Sequence, residues 1–361
     1  MGVQDKLLLV HKFLNQLTHT VDGDELTRLF ESYKDRLNVE SEEDAIYQLL
    51  VDAQMLGKEI LFLKSSVNDV EQNRNLAKLT PEERAELAEV EAIIDENRFC
   101  YHFQPIVSAS DGSIFSYEAL MRPQSEMGLS PYHIIKYARL TKRLYDIEYA
   151  TFWNVLNMID SDKSRFNGRK VFMNSIPEVS LQGDDTKRVG ELLLKHSDTA
   201  VVEIVEQADA NEDDLSAFRK RFMNEGIEVA IDDFGTGYSN MRNLLRYMPN
   251  YVKIDRSLIC NIQDDLKKRY FVREVIGFCH SIGIQVLAEG VETSEELHTV
   301  ILMGVDLIQG YYTARPASEI IDAVPHEISQ EIKLYQQERR DGKEQQVYAF
   351  EAGERIQLDK L

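Results

Sequence analysis

The chain has 361 residues and carries 62 acidic side chains against 41 lysines and arginines, a formal net charge of −21 at pH 7. A field that negative repels polynucleotides and anionic lipid, which argues against a nucleic-acid polymer or a membrane as partner. It leaves room for a small phosphate ligand where metals and a few basic residues reverse the local sign. Hydrophobic residues make up 43%, and no apolar run approaches the roughly 20 residues that span a bilayer. The longest run near the start, Leu7 to Val10, is too short for a signal peptide. Cys100, Cys260 and Cys279 have neither metal-site nor disulfide spacing, so a cytoplasmic location is expected.

Residues 1–78 read as an all-α accessory segment, a dimerisation or sensory module. Asp24 can cap a helix from Glu25 to Leu37 with Leu26, Leu29, Phe30 and Tyr33 on one stripe. Ser41-Glu42-Glu43-Asp44 opens a second helix through Ile46, Leu49, Leu50 and Ala53. About half of the acidic excess falls in residues 1–97, an asymmetry that suggests two parts with different jobs. Thr80-Pro81-Glu82-Glu83 then joins an N-cap threonine, a proline at the first helical position and a glutamate three residues past the cap. A domain boundary is expected just before it.

Within residues 79–325, eight β-rich runs follow: Tyr101–Val107, Ile114–Ala119, Lys170–Asn174, Ala200–Val205, Glu228–Ile231, Tyr251–Ile254, Gln285–Ala288 and Leu307–Gln309. The last six are each preceded by a plausible helix, for example Arg269–Ser281 before Gln285. This alternation predicts an α/β fold, a TIM-like (β/α)8 barrel. The first two runs lie too close for a crossover helix and should be antiparallel. Residues 326–361 read as a charged, partly helical C-terminal tail with a helix near Ile328–Arg340.

Chemistry in such a barrel sits where strands end. Polar residues recur there: Glu118, Asn174, Glu203, Asp232, Asp233, Lys253, Asp255, Glu289 and Gln309. Singly, each reads as a surface loop charge. In register across successive strands they form an oxygen-donor set without histidine or cysteine, suited to Mg²⁺ or Mn²⁺. Adjacent Asp232 and Asp233 would face opposite sides of a regular strand, and the turn Phe234-Gly235-Thr236-Gly237 is expected to bring both into one site. Two metals about 4 Å apart are the usual device for phosphodiester hydrolysis. Lys253 can orient the attacking water or accept its proton; the alternative is an ion pair with Asp233 or Asp255.

These residues resemble the EAL-domain family of cyclic di-GMP phosphodiesterases. The resemblance rests on Gln104-Pro105-Ile106, Glu118-Ala119-Leu120 through Arg122, Asn174, and Glu203 with Glu206. It continues through Asp232-Asp233-Phe234-Gly235-Thr236-Gly237, Lys253-Ile254-Asp255-Arg256, Ala288-Glu289-Gly290-Val291-Glu292 and Gln309-Gly310-Tyr311. It implies hydrolysis of cyclic di-GMP to linear pGpG with two divalent cations, Ca²⁺ being inhibitory. Glu118, Asn174, Glu203 and Asp232 would hold the first cation. Asp232 and Asp233 would hold the second, with Glu289 supporting it directly or through water. Lys253 would be the general base or a water-positioning cation, and Gln309 would order water. Glu206 would anchor the loop after Asp233. Gln104, Leu120, Arg122 and Asp255 resemble substrate contacts, Asp255 either at a guanine edge or in an internal ion pair. The resemblance also implies a homodimer, with the N-terminal helices as the entry point for an unknown regulator. A barrel that binds the dinucleotide without cleaving it, and hydrolysis of a different phosphodiester, are the alternatives. The sequence departs from the family's commoner pattern at Val205 and Gln207 and by placing a serine at Ser175. Neither change touches an expected ligand.

Overall fold

The computed structural model describes residues 76–162, 164–176, 178–205, 222–235, 244–245 and 247–343. The two helices expected within residues 1–75, Glu206 with Gln207, and residues 236–239 of the following loop lie outside the described residues. Eight strands close into a barrel in chain order: β1 (Phe99–Ser108), β2 (Ile114–Pro123), β3 (Lys170–Ser175), β4 (Ala200–Val205), β5 (Glu228–Phe234), β6 (Tyr251–Ile254), β7 (Gln285–Ala288) and β8 (Leu307–Ile308). β1 runs antiparallel to both β2 and β8, and every other neighbouring pair is parallel. The cause is the short link 109–113, which turns through Ser108 and Ser113 backbone pairing at 2.8 Å and cannot hold a crossover.

Several strands outrun their apolar signal. β2 continues past Ala119 to Pro123, and β5 continues past Ile231 to Phe234, where its side chains turn polar at Asp232 and Asp233. Among the described residues the longer helices are α1 (Pro81–Asp95), α2 (Pro131–Leu140), α3 (Leu144–Ser161), α4 (Gly183–Lys195), α5 (Leu266–Ser281), α6 (Ser294–Met303) and α7 (His326–Arg340). α5 starts at Leu266, ahead of the expected Arg269, because the Asp265 carboxylate caps the Lys267 and Lys268 N–H groups.

The chain divides into two compact units. In Met1–Glu91 with Lys136–Lys142, Thr80 and Glu83 form the expected capping box, Thr80 Oγ1 accepting the Glu83 N–H at 3.2 Å and Glu83 Oε2 the Thr80 N–H at 3.1 Å. Lys136 pairs with Glu83 at 3.2 Å. The other unit, Ala92–Ile135 with Arg143–Leu361, holds the barrel.

Strand side chains alternate, and the two faces make two cores. Outward residues such as Tyr117, Val171, Val202, Val229, Val252 and Val286 pack with Phe152, Val275 and Val300 of the helices. Inward, Ile106, Phe172, Val201, Ala230, Tyr251, Leu287 and Leu307 fill the lumen. One step below this layer, Lys170 pairs with Glu228, and the Tyr251 hydroxyl donates to Glu228 at 2.7 Å, closing the base. α7 follows β8 and buries Ile332 in the outer core. Its Glu331 accepts the hydroxyls of Tyr312 at 2.8 Å and Tyr335 at 2.6 Å.

Candidate active site

The site is the layer directly above the lumen core. Period-two alternation puts the next inward side chain two residues along each strand. Phe172 leads to Asn174, Val201 to Glu203, Ala230 to Asp232, Tyr251 to Lys253, Leu287 to Glu289 and Leu307 to Gln309. On β2 the inward Ser116 leads to Glu118. On β1, which runs the other way, Ile106 leads back to Gln104, which pairs in register with Glu118.

Asp233 breaks this alternation. Its φ is +55°, and β5 advances from Ile231 to Phe234 while β6 advances only from Val252 to Ile254. The extra residue is a bulge, and aspartate tolerates the left-handed conformation better than most residues. Phe234 still pairs with Ile254, so the reversal falls at Asp233 itself, one residue ahead of the expected turn. Oxygens of Asp232, Asp233 and Glu289 consequently lie within 4.8 Å of one another.

Lys253 stands at the centre, 1% exposed. Its Nζ is 2.7 Å from Glu203 Oε1, 2.7 Å from Glu289 Oε1, 3.0 Å from Asp232 Oδ1 and 3.6 Å from Glu118 Oε2. These four ion pairs stand beside the alternative role weighed for this lysine, an ion pair with Asp233 or Asp255. Burial of the ammonium opposes its charge, yet Asp232, Glu118, Glu203 and Glu289 together hold Lys253 well above the usual lysine range. Burial, then the Glu118 charge, pushes Glu203 well above the carboxylate range even though Lys253 draws it down. Glu289 is raised for the same reason, burial outweighing Lys253. Asp233 is raised by burial and then by the charges of Asp232 and Asp255.

Two observations indicate that the cage suits cations beyond this lysine. Glu203 is fully buried, and its Oε2 has no hydrogen-bond partner among the described residues. An orphaned buried carboxylate oxygen costs several kcal/mol unless something positive meets it. Five carboxylates less one ammonium also leave a formal charge of −4, which two divalent cations cancel. The donors are all oxygen, the preference of Mg²⁺ and Mn²⁺.

The remaining expected residues surround the cage. Asn174 is exposed and donates to Glu118 Oε1 at 3.3 Å. Gln309 donates to Glu118 Oε2 at 2.6 Å and to Gln104 Oε1 at 3.2 Å, while its own Oε1 is buried without a partner among the described residues. Gln104 donates in turn to the Ala314 carbonyl at 3.1 Å, so both ends of this amide are engaged. Leu120 and Arg122 are half-buried on the same face of β2, and Arg122 Nη1 donates to the Met121 carbonyl at 2.8 Å. The Asp255 carboxylate accepts the Ser257 N–H at 2.9 Å, capping a single helical turn, Arg256–Ile259. At the end of β8, Gly310 carries no Cβ because one would sit 2.0 Å from the Val291 carbonyl oxygen.

Two buried carboxylates escaped the sequence reading. Glu148 on α3 accepts the Ser175 hydroxyl at 2.8 Å and the Ile176 N–H at 2.7 Å, securing the chain just after Asn174. Its position gave no signal, since it occupies the inner face of a helix where an apolar residue is expected. Glu296 was legible as the third residue after Thr293, a capping-box spacing.

Comparison with known proteins agrees with this geometry. The family model described as EAL domain matches residues 87–316. A probable cyclic di-GMP phosphodiesterase, PdeN of Escherichia coli, is 27% identical over 235 residues, 63% of this chain and 45% of that protein. The chain spans less than half the length of the curated relatives it matches. A standalone EAL protein from Vibrio cholerae, solved in a c-di-GMP bound form, aligns with TM-score 0.56 and 27% identity, covering 64% of this chain and 97% of that one. Klebsiella pneumoniae BlrP1, solved as a manganese/cy-diGMP complex, aligns with TM-score 0.54 and 26% identity, covering 61% of this chain and 56% of that one. With the family model covering well over half of the chain and the strand-end carboxylates in place, this protein belongs to the EAL domain family.

Proposed function

We propose that the barrel is a phosphodiesterase that opens cyclic di-GMP to linear pGpG with two divalent cations, Mg²⁺ or Mn²⁺. The observation that carries this reading is the oxygen cage itself: five carboxylates from the ends of four strands, four of them around one buried lysine, with Glu203 Oε2 lacking a hydrogen-bond partner among the described residues. Glu118, Asn174, Glu203 and Asp232 would hold one cation; Asp232 and Asp233 would hold the other, supported by Glu289. Bound there, the cations would supply the Lewis acidity that activates water and neutralises charge developing on the phosphoryl oxygens.

The chain's own groups do the rest. Lys253 occupies the centre of the expected first set, so its ammonium must draw back from Glu118 and Glu203 when a cation enters. Once cations consume the carboxylate charge, less holds its proton, and the amine can orient water or take a proton from it. Gln309 locks Glu118 and leaves its bare Oε1 to accept from a water. The Arg122 guanidinium suits a phosphate oxygen. Leu120 and Gln104 line the same face, and Asp255 would serve a guanine edge or an internal ion pair.

Product analysis tests the reading. Purified protein with cyclic di-GMP and Mg²⁺ should yield pGpG, and Glu118→Ala or Asp232→Ala should lower turnover at least about a hundredfold. Dinucleotide binding without a linear product would instead make the chain a receptor, and cleavage of unrelated cyclic nucleotides at equal rates would reassign the substrate. We also retain as proposals a homodimer set by residues 1–78, which would receive an unknown regulator, and loop anchoring by Glu206. Monomers of equal activity for both the full chain and a chain starting at Leu79, by light scattering and assay, would remove the first.

A further inference from the structure

The loops that follow β6 and β7 carry the groups on which the proposed chemistry turns. One leads from Lys253 to Asn261, the other from Glu289 to Thr293. Glu296, in the first turn of α6 and 2% exposed, joins them. Its Oε1 accepts the Asn261 N–H at 2.9 Å. Its Oε2 accepts the Glu292 N–H at 2.8 Å and the Thr293 N–H at 3.2 Å. Asn261 has a φ of +54°, a left-handed residue at the point where its N–H meets the carboxylate. A capping-box glutamate normally serves only its own helix start; here the second oxygen is committed to a different loop.

A second strap crosses the same gap. Arg256 Nη1 donates to the Gly290 carbonyl at 3.0 Å and pairs with Glu292 Oε1 at 2.8 Å. Gly290 sits at φ +67°, and a Cβ there would lie 2.7 Å from Arg256. The backbone on both sides of Glu289 is therefore tied to the Lys253 side of the barrel. The Ile254 carbonyl completes the tie by accepting the Glu289 N–H at 3.0 Å.

We propose that Glu296 is a positioning residue that registers the Glu289 loop against the Lys253 strand and so sets the geometry of the cation cage. The inference rests on the proposed function in requiring that Glu289 serve the cations. Glutamine also supports a capping box, so Glu296→Gln can keep the acceptor for Thr293 while turning an amide N–H₂ toward the Asn261 N–H. Thr293→Ala is the matched control. It removes the Thr293 Oγ1 cap on the Glu296 N–H at 3.2 Å, weakening α6 while leaving the bridge between the loops intact.

The experiment compares full-length wild type, Glu296→Gln and Thr293→Ala by Mn²⁺ titration calorimetry and by steady-state turnover of cyclic di-GMP. Glu296→Gln should weaken Mn²⁺ binding and lower kcat by about tenfold each, the scale of outer hydrogen-bond partners in metal sites, with KM within about twofold. Thr293→Ala should lower the unfolding temperature and leave both quantities within about twofold. Wild-type Mn²⁺ affinity in Glu296→Gln overturns the proposal, and so do equal losses in Thr293→Ala, which would mean that weakening the helix is enough. If wild type cleaves no cyclic di-GMP, the functional reading fails, while the calorimetric comparison still decides the role of Glu296.

Discussion

Lys253→Met keeps an unbranched side chain, one atom shorter, and removes the charge that four carboxylates share. At an effective dielectric of about 20, each 2.7 Å pair represents about 6 kcal/mol of gross attraction. Most of this cancels against desolvation and carboxylate repulsion, so the net cost is set by the easiest relaxation, uptake of one proton by a carboxylate. For a group with an ordinary value near 4.3, holding that proton at pH 7 costs about 3.7 kcal/mol. That falls inside the range of about 3–5 kcal/mol for removing one partner of a buried ion pair. The folded variant then binds one proton more than its unfolded chain, so stability falls as pH rises, by about 1.4 kcal/mol per unit. The deficit should shrink to about 1.6 kcal/mol at pH 5.5. Urea unfolding of both proteins in EDTA, from pH 5.5 to 7, measures it. Mn²⁺ should then restore the variant more than the wild type, because the cation takes the vacated centre. A difference that is negligible at pH 7, or that does not change with pH, would refute the reasoning.

EDTA should stop turnover, Mg²⁺ or Mn²⁺ should restore it, and Ca²⁺ should inhibit through longer and looser coordination; equal rates in Ca²⁺ and Mg²⁺ contradict the two-cation geometry. Because Glu203, Glu289 and Asp233 are all raised, protons compete with the cations, so Mn²⁺ affinity measured by calorimetry should tighten from pH 5 to pH 8. A flat profile would count against those shifts. At the left-handed Asp233, valine should unfold about 1–2 kcal/mol more easily than asparagine, and equal stabilities would mean that the position is unstrained. Ile332→Ala should cost about 2–5 kcal/mol in denaturant unfolding if α7 is part of the barrel's core, and a loss below about 0.5 kcal/mol would make α7 a loose appendage.

Much of the fold was legible because its signals are local. Short β-rich runs marked eight strands, the short link 109–113 required an antiparallel start, and Thr80, Pro81 and Glu83 marked a helix start. The candidate site was legible as polar residues at successive strand ends, and the structure places each of them two positions beyond a lumen residue in the six strands after β2.

What the tertiary structure alone decided involves partners remote in sequence or a single unusual backbone angle. Lys253 meets Glu118, Glu203, Asp232 and Glu289 from four other strands, and no local pattern distinguishes that cage from the ion pairs with Asp233 or Asp255. Asp233 enters the site through a bulge at φ +55°, which aspartate permits but does not announce. Glu148 and Glu296 look like helix residues until the strand end and the two loops they hold are folded around them. Alternation and capping act between residues a few places apart, so one sequence can declare them. A buried charge takes its meaning from whichever groups the closed barrel brings within about 4 Å, where Coulomb attraction is set against the loss of water.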